Sequence, residues 1–164
     1  QSPLGGASPT KTPVAKVQIK AGATGHTLYM VSVPSDWKSN KDEVNNSDTS
    51  DTLTLSKDGY SLVIHQANMG GSLYSFEDAK VDGPFAQEYK GTYVDFTGAN
   101  GEKYRRIDAS SQNKPGEKNF AVVEKKTDSY QAPTTFGSLS YNTPLNPASD
   151  MLDEMDDIIS SLKK

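Results

Sequence analysis

The sequence predicts an α+β fold: a largely antiparallel β-sheet covered by a C-terminal amphipathic helix. Three observations predict it. Short stretches rich in β-branched and aromatic residues recur between Val14 and Asn142, separated by Gly, Pro, Asn and Asp, the punctuation of antiparallel strands. Two of the breaks, Asp58-Gly59 and Asn100-Gly101, are dipeptides that favour tight hairpins. Past Pro147 the apolar spacing changes to three and four residues, the period of a helix with one buried face.

Taken in order, residues 1–13 ("QSPLGGASPTKTP") are crowded with Gly, Pro, Ser and Thr and read as a flexible linker ahead of a single α+β domain over 14–164. A start at Gln1 fits a mature terminus left by export-signal cleavage, and equally a chain cut there for expression. In a bacterial lipoprotein the lipidated cysteine would lie just upstream. "VAKVQIKAG" and "HTLYMVSVP", with Gly25 and Pro34 as breaks, predict an antiparallel strand pair. "KSNKDEVNNSDTSD" predicts a solvated loop with at most a helical turn. "TLTLSKDGYSLVIHQAN" predicts two strands around Asp58-Gly59, with Tyr60, Leu62 and Ile64 alternating along the second. "SLYSFEDAKVDG" predicts a short helix stopped at Gly83. Tyr89 to Phe96 and Lys103 to Ile107 predict a hairpin, with Asn100-Gly101 in a type I′ turn whose two central residues are left-handed. "NFAVVEKKT" and "FGSLSYN" add strands around a proline-containing loop. In the terminal helix Leu152, Met155, Ile158, Ile159 and Leu162 share a face. Asn146 or Ser149 is expected to cap its start, with Pro147 tolerated early, and Lys163 and Lys164 to complement the dipole at its end.

Composition narrows the function. A net charge of −4 and a pI near 5.1 argue against nucleic acid, which needs a positive face to release counterions; the pair Arg105-Arg106 does not alter that. With no cysteine, disulfides, thiolate metal sites and cysteine nucleophiles are excluded. No apolar run approaches the roughly 20 residues of a membrane-spanning helix. A mean hydropathy of −0.67 implies long solvated segments beside one core, which single domains build from about 100–150 residues.

Candidate chemistry is sparse. The histidines are His26, beside a glycine turn, and His65, in a strand; neither "GGSLYS" nor "FGSLSY" makes the elbow that exposes a serine nucleophile. His65 reads as an ordinary hydrogen-bonded strand residue. The carboxylate pairs Asp42-Glu43, Glu77-Asp78 and Asp156-Asp157 read as solvated surface charge, since sequence neighbours do not imply the facing geometry of an acid–base pair. "DEVNNSDTSD" offers hard oxygen donors but lacks the EF-hand glycine and glutamate. No catalytic residue, cofactor site or metal site is therefore assigned. Tyrosines 29, 60, 74, 89, 93, 104, 130 and 141 outnumber the five phenylalanines and suit either a sheet margin or a binding face, with structure favoured. The single tryptophan, Trp37, is expected to anchor the core rather than to contact a ligand.

"LYMVSVPSDWKSN", the strands after a polar loop, and "LDEMDDIISSLKK" together resemble the small exported bacterial domains of the PsbP-like group. The match runs through Pro34, Ser35, Asp36 and Trp37, and through Leu152, Ile158, Ile159, Ser161, Leu162 and Lys163. The resemblance implies an α/β/α arrangement and a tethered or lipid-anchored protein outside the cytoplasm, without catalysis. The expected function is that of an extracytoplasmic accessory or binding domain, a monomer whose partner is a protein or cell-envelope component, with membrane contact only through an N-terminal tether. The alternative is a secreted hydrolase or carbohydrate-binding module using surface carboxylates and aromatics.

Overall fold

Alternation at period two turns the two faces of a strand in opposite directions, so that one can enter a core. The computed structural model describes residues 14–22, 28–41, 50–67, 93–108, 116–126, 129–131 and 138–163. Strands β1 (Lys16–Ala21) and β2 (Tyr29–Pro34) pair antiparallel from Lys16 opposite Pro34 to Ala21 opposite Tyr29. The main sheet contains β3 (Lys38–Lys41), β4 (Ser50–Lys57), β5 (Tyr60–Ala67), β6 (Tyr93–Thr97), β7 (Lys103–Asp108), β8 (Glu117–Lys126), β9 (Ser129–Gln131) and β10 (Ser138–Pro144). Its order is β3-β4-β5-β10-β8-β7-β6, with β9 paired to β8, and all its pairings are antiparallel.

Helix α1 (Ser149–Ser160) and the β1–β2 hairpin share one core with the sheet. Leu53, Leu55, Leu62, Ile64, Leu139 and Tyr141 meet Val31, Val33, Met155, Ile158 and Ile159 there, all buried. The chain after α1 runs along β2: Met30 and Lys163 exchange backbone hydrogen bonds of 2.8 and 2.9 Å. Ser161 Oγ accepts from the Ser32 amide at 2.8 Å. The Ala99 amide donates to the Ser160 carbonyl at 2.8 Å, satisfying a helix-end acceptor that would otherwise lack a partner.

Several expectations need correction. Lys38–Lys41, expected within a loop, is a strand at the sheet edge; its polar composition follows from exposure of an edge, where charge also blocks unwanted pairing. The Asn100-Gly101 turn is not type I′, because only Gly101 has positive φ, +88°. The Gly101 amide donates to Gly98 O and the Gly98 amide to Glu102 O, a type I turn followed by a left-handed glycine. By contrast Asp58 and Gly59, at φ +50° and +85°, make the left-handed pair expected of them. The helix start is Ala148, with no side-chain cap from Asn146 or Ser149; instead the Ala148 amide donates to the Tyr60 hydroxyl at 2.9 Å. No basic residue occupies the last helical turn, since Lys163 belongs to the bridge with β2. The short helix expected around residues 72–83 lies outside the described residues, as does the 1–13 linker.

Candidate functional site

Pro34 ends β2, and the Trp37 amide donates to its carbonyl at 3.0 Å, folding Ser35 and Asp36 into a tight turn. The indole swings into the core, 6% exposed. Its Nε1 is buried without a hydrogen-bond partner. Asp36, pushed outward by the same turn, meets Lys57 at the end of β4: Nζ to Oδ2 is 2.6 Å, and Glu154 of α1 lies 3.6 Å from the same ammonium. One lysine thus joins the β2–β3 turn, the β4–β5 hairpin and the helix. The hydrogen bond to Asp36, aided by the charge of Glu154, raises its pKa, so the group stays an ammonium at neutral pH.

Between these two turns an open cleft of about 430 Å³ is bordered by Asp36, Lys38, Lys57 and Asp58, with Ser56 and Ser61 on its floor. The floor continues along the sheet face turned away from α1. Because strand neighbours in register share a face, the row Lys38, Ser56, Ser61, Asn142 crosses four strands. The next row is Asn40, Thr54, Val63, Ser140. The side chains of Ser56, Ser61 and Asn142 make no hydrogen bond among the described residues. Toward β7 the same face closes over, with Arg105, Ile107 and Val123 all buried.

The other charged cluster lies inside the molecule. Asp156, expected on the surface, is 6% exposed between α1 and the sheet. It accepts from Arg106 Nη1 and from the Tyr141 hydroxyl, the latter at 2.9 Å. Burial pushes its carboxyl up to about 6, the Arg106 charge and the Tyr141 hydrogen bond opposing it. The reason for the correction is geometric: at helical spacing Asp156 follows Leu152 and Met155 onto the inward face, where a basic partner waits on β7. Asp157, one position on, is exposed.

The remaining candidates are scattered. His65 Nδ1 lies 2.9 Å from Thr52 Oγ1 across β4 and β5. Tyr29, Tyr60, Tyr104 and Tyr141 are buried; Tyr93 is 38% exposed, its ring 3.7 Å beneath the Arg105 guanidinium, which pairs with Asp95 through Nε at 2.7 Å and Nη2 at 3.1 Å. Asp51 is buried and accepts from the Gly22 amide at 2.9 Å. His26, Asp42-Glu43, Glu77-Asp78, Tyr74 and Tyr89 lie outside the described residues. Among the described residues no three His, Asp or Glu side chains gather in metal-binding geometry, and no helix is long and apolar enough to cross a membrane. No family model, curated protein or solved structure matches the chain.

The cleft was missed in the sequence because it joins two turns more than twenty residues apart. One signal was legible: "TLTLS" and "YSLVIH" alternate, and the face opposite the leucines carries the hydroxyls of Thr52, Thr54, Ser56 and Ser61, with Val63 and His65 beside them. At the hairpin end that face is polar and small, where a second packed layer would have asked for apolar side chains.

Proposed function

We propose that this chain is a non-catalytic accessory domain that works outside the cytoplasm, held by its N-terminal linker, and binds a cell-envelope component through the cleft between the β2–β3 and β4–β5 turns. The observation that carries the reading is where the charged groups are placed. The carboxyl with the pKa of a general acid, Asp156, is sealed behind Arg106 and Tyr141 at the helix–sheet interface, out of reach of a substrate. At the cleft, Lys57 is held charged by two carboxylates, which favours recognition over nucleophilic or base chemistry. The rim is open and polar, as a surface for a large solvated partner requires. The PsbP-like resemblance of the Pro34 to Trp37 turn and of α1 agrees with this reading and supplies its location.

The test is fractionation of cells that express the natural gene with its own upstream codons, probed with an antibody to this domain. The expected result is recovery with the envelope or the medium. Recovery in the cytosol overturns the location, and turnover of a model ester or glycoside that is lost in a Lys57→Met variant overturns the non-catalytic role.

A further inference from the structure

We infer that the ligand of this cleft is a polyhydroxylated chain, a linear glycan that enters between Asp36, Lys38 and Asp58 and continues over the row Ser56, Ser61, Asn142. The inference rests on the binding reading above and names the ligand class for the same site. Three features point to it. The rim presents ammonium donors and carboxylate acceptors side by side. A sugar hydroxyl both donates and accepts and is satisfied by such a pair, whereas a phosphate polymer or an acidic peptide finds Lys38 and Lys57 matched by Asp36 and Asp58 and gains nothing from its charge. The floor consists of hydroxyls and an amide that make no hydrogen bond among the described residues and so remain available to a ligand. Finally, neighbouring strands stand about 4.8 Å apart, close to the length of one pyranose unit along its chain. A glycan laid across the strands thus meets one polar side chain per sugar.

Lysine 57 gives the site its shape. By joining Asp36 and Glu154 it holds the two turns at a fixed separation before any ligand arrives, which lowers the ordering cost of binding. The floor offers no aromatic ring, and Tyr60 at the wall is buried with its hydroxyl engaged by Ala148. Affinity for a single oligosaccharide is accordingly weak, and retention on a polymer depends on repeated contacts along the chain.

The test is an amide chemical-shift titration of the full chain with four neutral linear glycans, chitohexaose, cellohexaose, maltohexaose and xylohexaose. Saturable shifts are expected at residues 36–38, 56–61 and 140–142 with at least one of these probes. The double variant Ser56→Val, Ser61→Val keeps strand-compatible side chains and is expected to keep the melting temperature while weakening that binding about tenfold or more, the effect of losing one or two hydrogen bonds. Silence with all four probes, shifts centred elsewhere, or equal affinity in the variant overturns the inference. If the protein fractionates with the envelope while the titration is silent, the glycan falls and the accessory role stands. If saturable shifts appear but the protein is cytosolic, the site stands and the location falls.

Discussion

At the scale of single residues, the fold depends on two side chains whose polar atoms sit inside it. Trp37 covers the core at the β2–β3 turn, and truncating a buried ring leaves a cavity. Trp37→Ala is expected to cost about 3–5 kcal/mol and Trp37→Phe clearly less, as read by urea unfolding. The buried indole should emit in the blue, resistant to acrylamide; red, quenchable emission with an unchanged alanine variant would place the ring in solvent. Asp156 makes a pH-dependent contribution whose sign follows from its raised pKa. Its carboxyl titrates near 3.8 when unfolded and near 6 when folded, so the folded state binds the proton more tightly. Its share of stability is fully present below about pH 4 and is lost as pH rises through 6. Other carboxylates titrate in the same range, so the diagnostic quantity is a difference: between pH 4 and 6.5 the stability of the natural protein should fall relative to Asp156→Asn. A parallel pair of curves would show that Asp156 titrates alike in both states.

At the scale of elements, α1 is a layer of the structure because one face of it is apolar and buried against β2 and the sheet. Ile159 is wholly buried and Asp153 is exposed. Ile159→Asp puts an unpaired charge in the interface and is expected to cost about 4 kcal/mol or more, a large part of the 5–15 kcal/mol available to a domain. Asp153→Asn should stay within about 0.5 kcal/mol. A docking helix would behave differently, keeping full stability after Ile159→Asp and losing a partner instead. This element was legible in the sequence because its five apolar positions carry the helical period. What periodicity left open was the treatment of its ends. The start is held by Tyr60, 88 residues away, and the end by Ala99 and Ser32, and contacts so distant leave no local trace. The same reasoning separates the strands. β4 and β5 were readable from alternation and from Asp58-Gly59, whereas β3 consists of Lys, Ser and Asn and acquires its conformation from pairing with β4, a tertiary effect that overrides propensity.

At the scale of the molecule, the two ends of the described chain meet. β2 lies between β1 on one side and the Lys163 bridge on the other, so the last residues complete the layer that the first strands begin. Leu162, 4% exposed, packs into the same core as Val31 and Leu62, and Ser161 Oγ bonds both the amide and the carbonyl of Ser32. Hairpin, sheet and helix should therefore unfold as one unit, with the amides of Val31, Ile64 and Ile159 sharing a single opening free energy in native-state hydrogen exchange. The long closure places this contact late in folding, since its entropy must be met before the contact stabilises anything. Ending the chain at Ser160 tests the arrangement. It removes Leu162, the Met30–Lys163 pair of hydrogen bonds and the Ser161 contacts while leaving every residue of α1 in place. The expected loss is about 3–5 kcal/mol, the sum of one buried leucine and a few hydrogen bonds, appearing as a lower urea midpoint with a single transition. An unchanged midpoint would mean that the terminal segment merely rests on β2. A second, early transition confined to β1, β2 and α1 would show that the layer and the sheet are separable, and the shared core would then be two cores in contact.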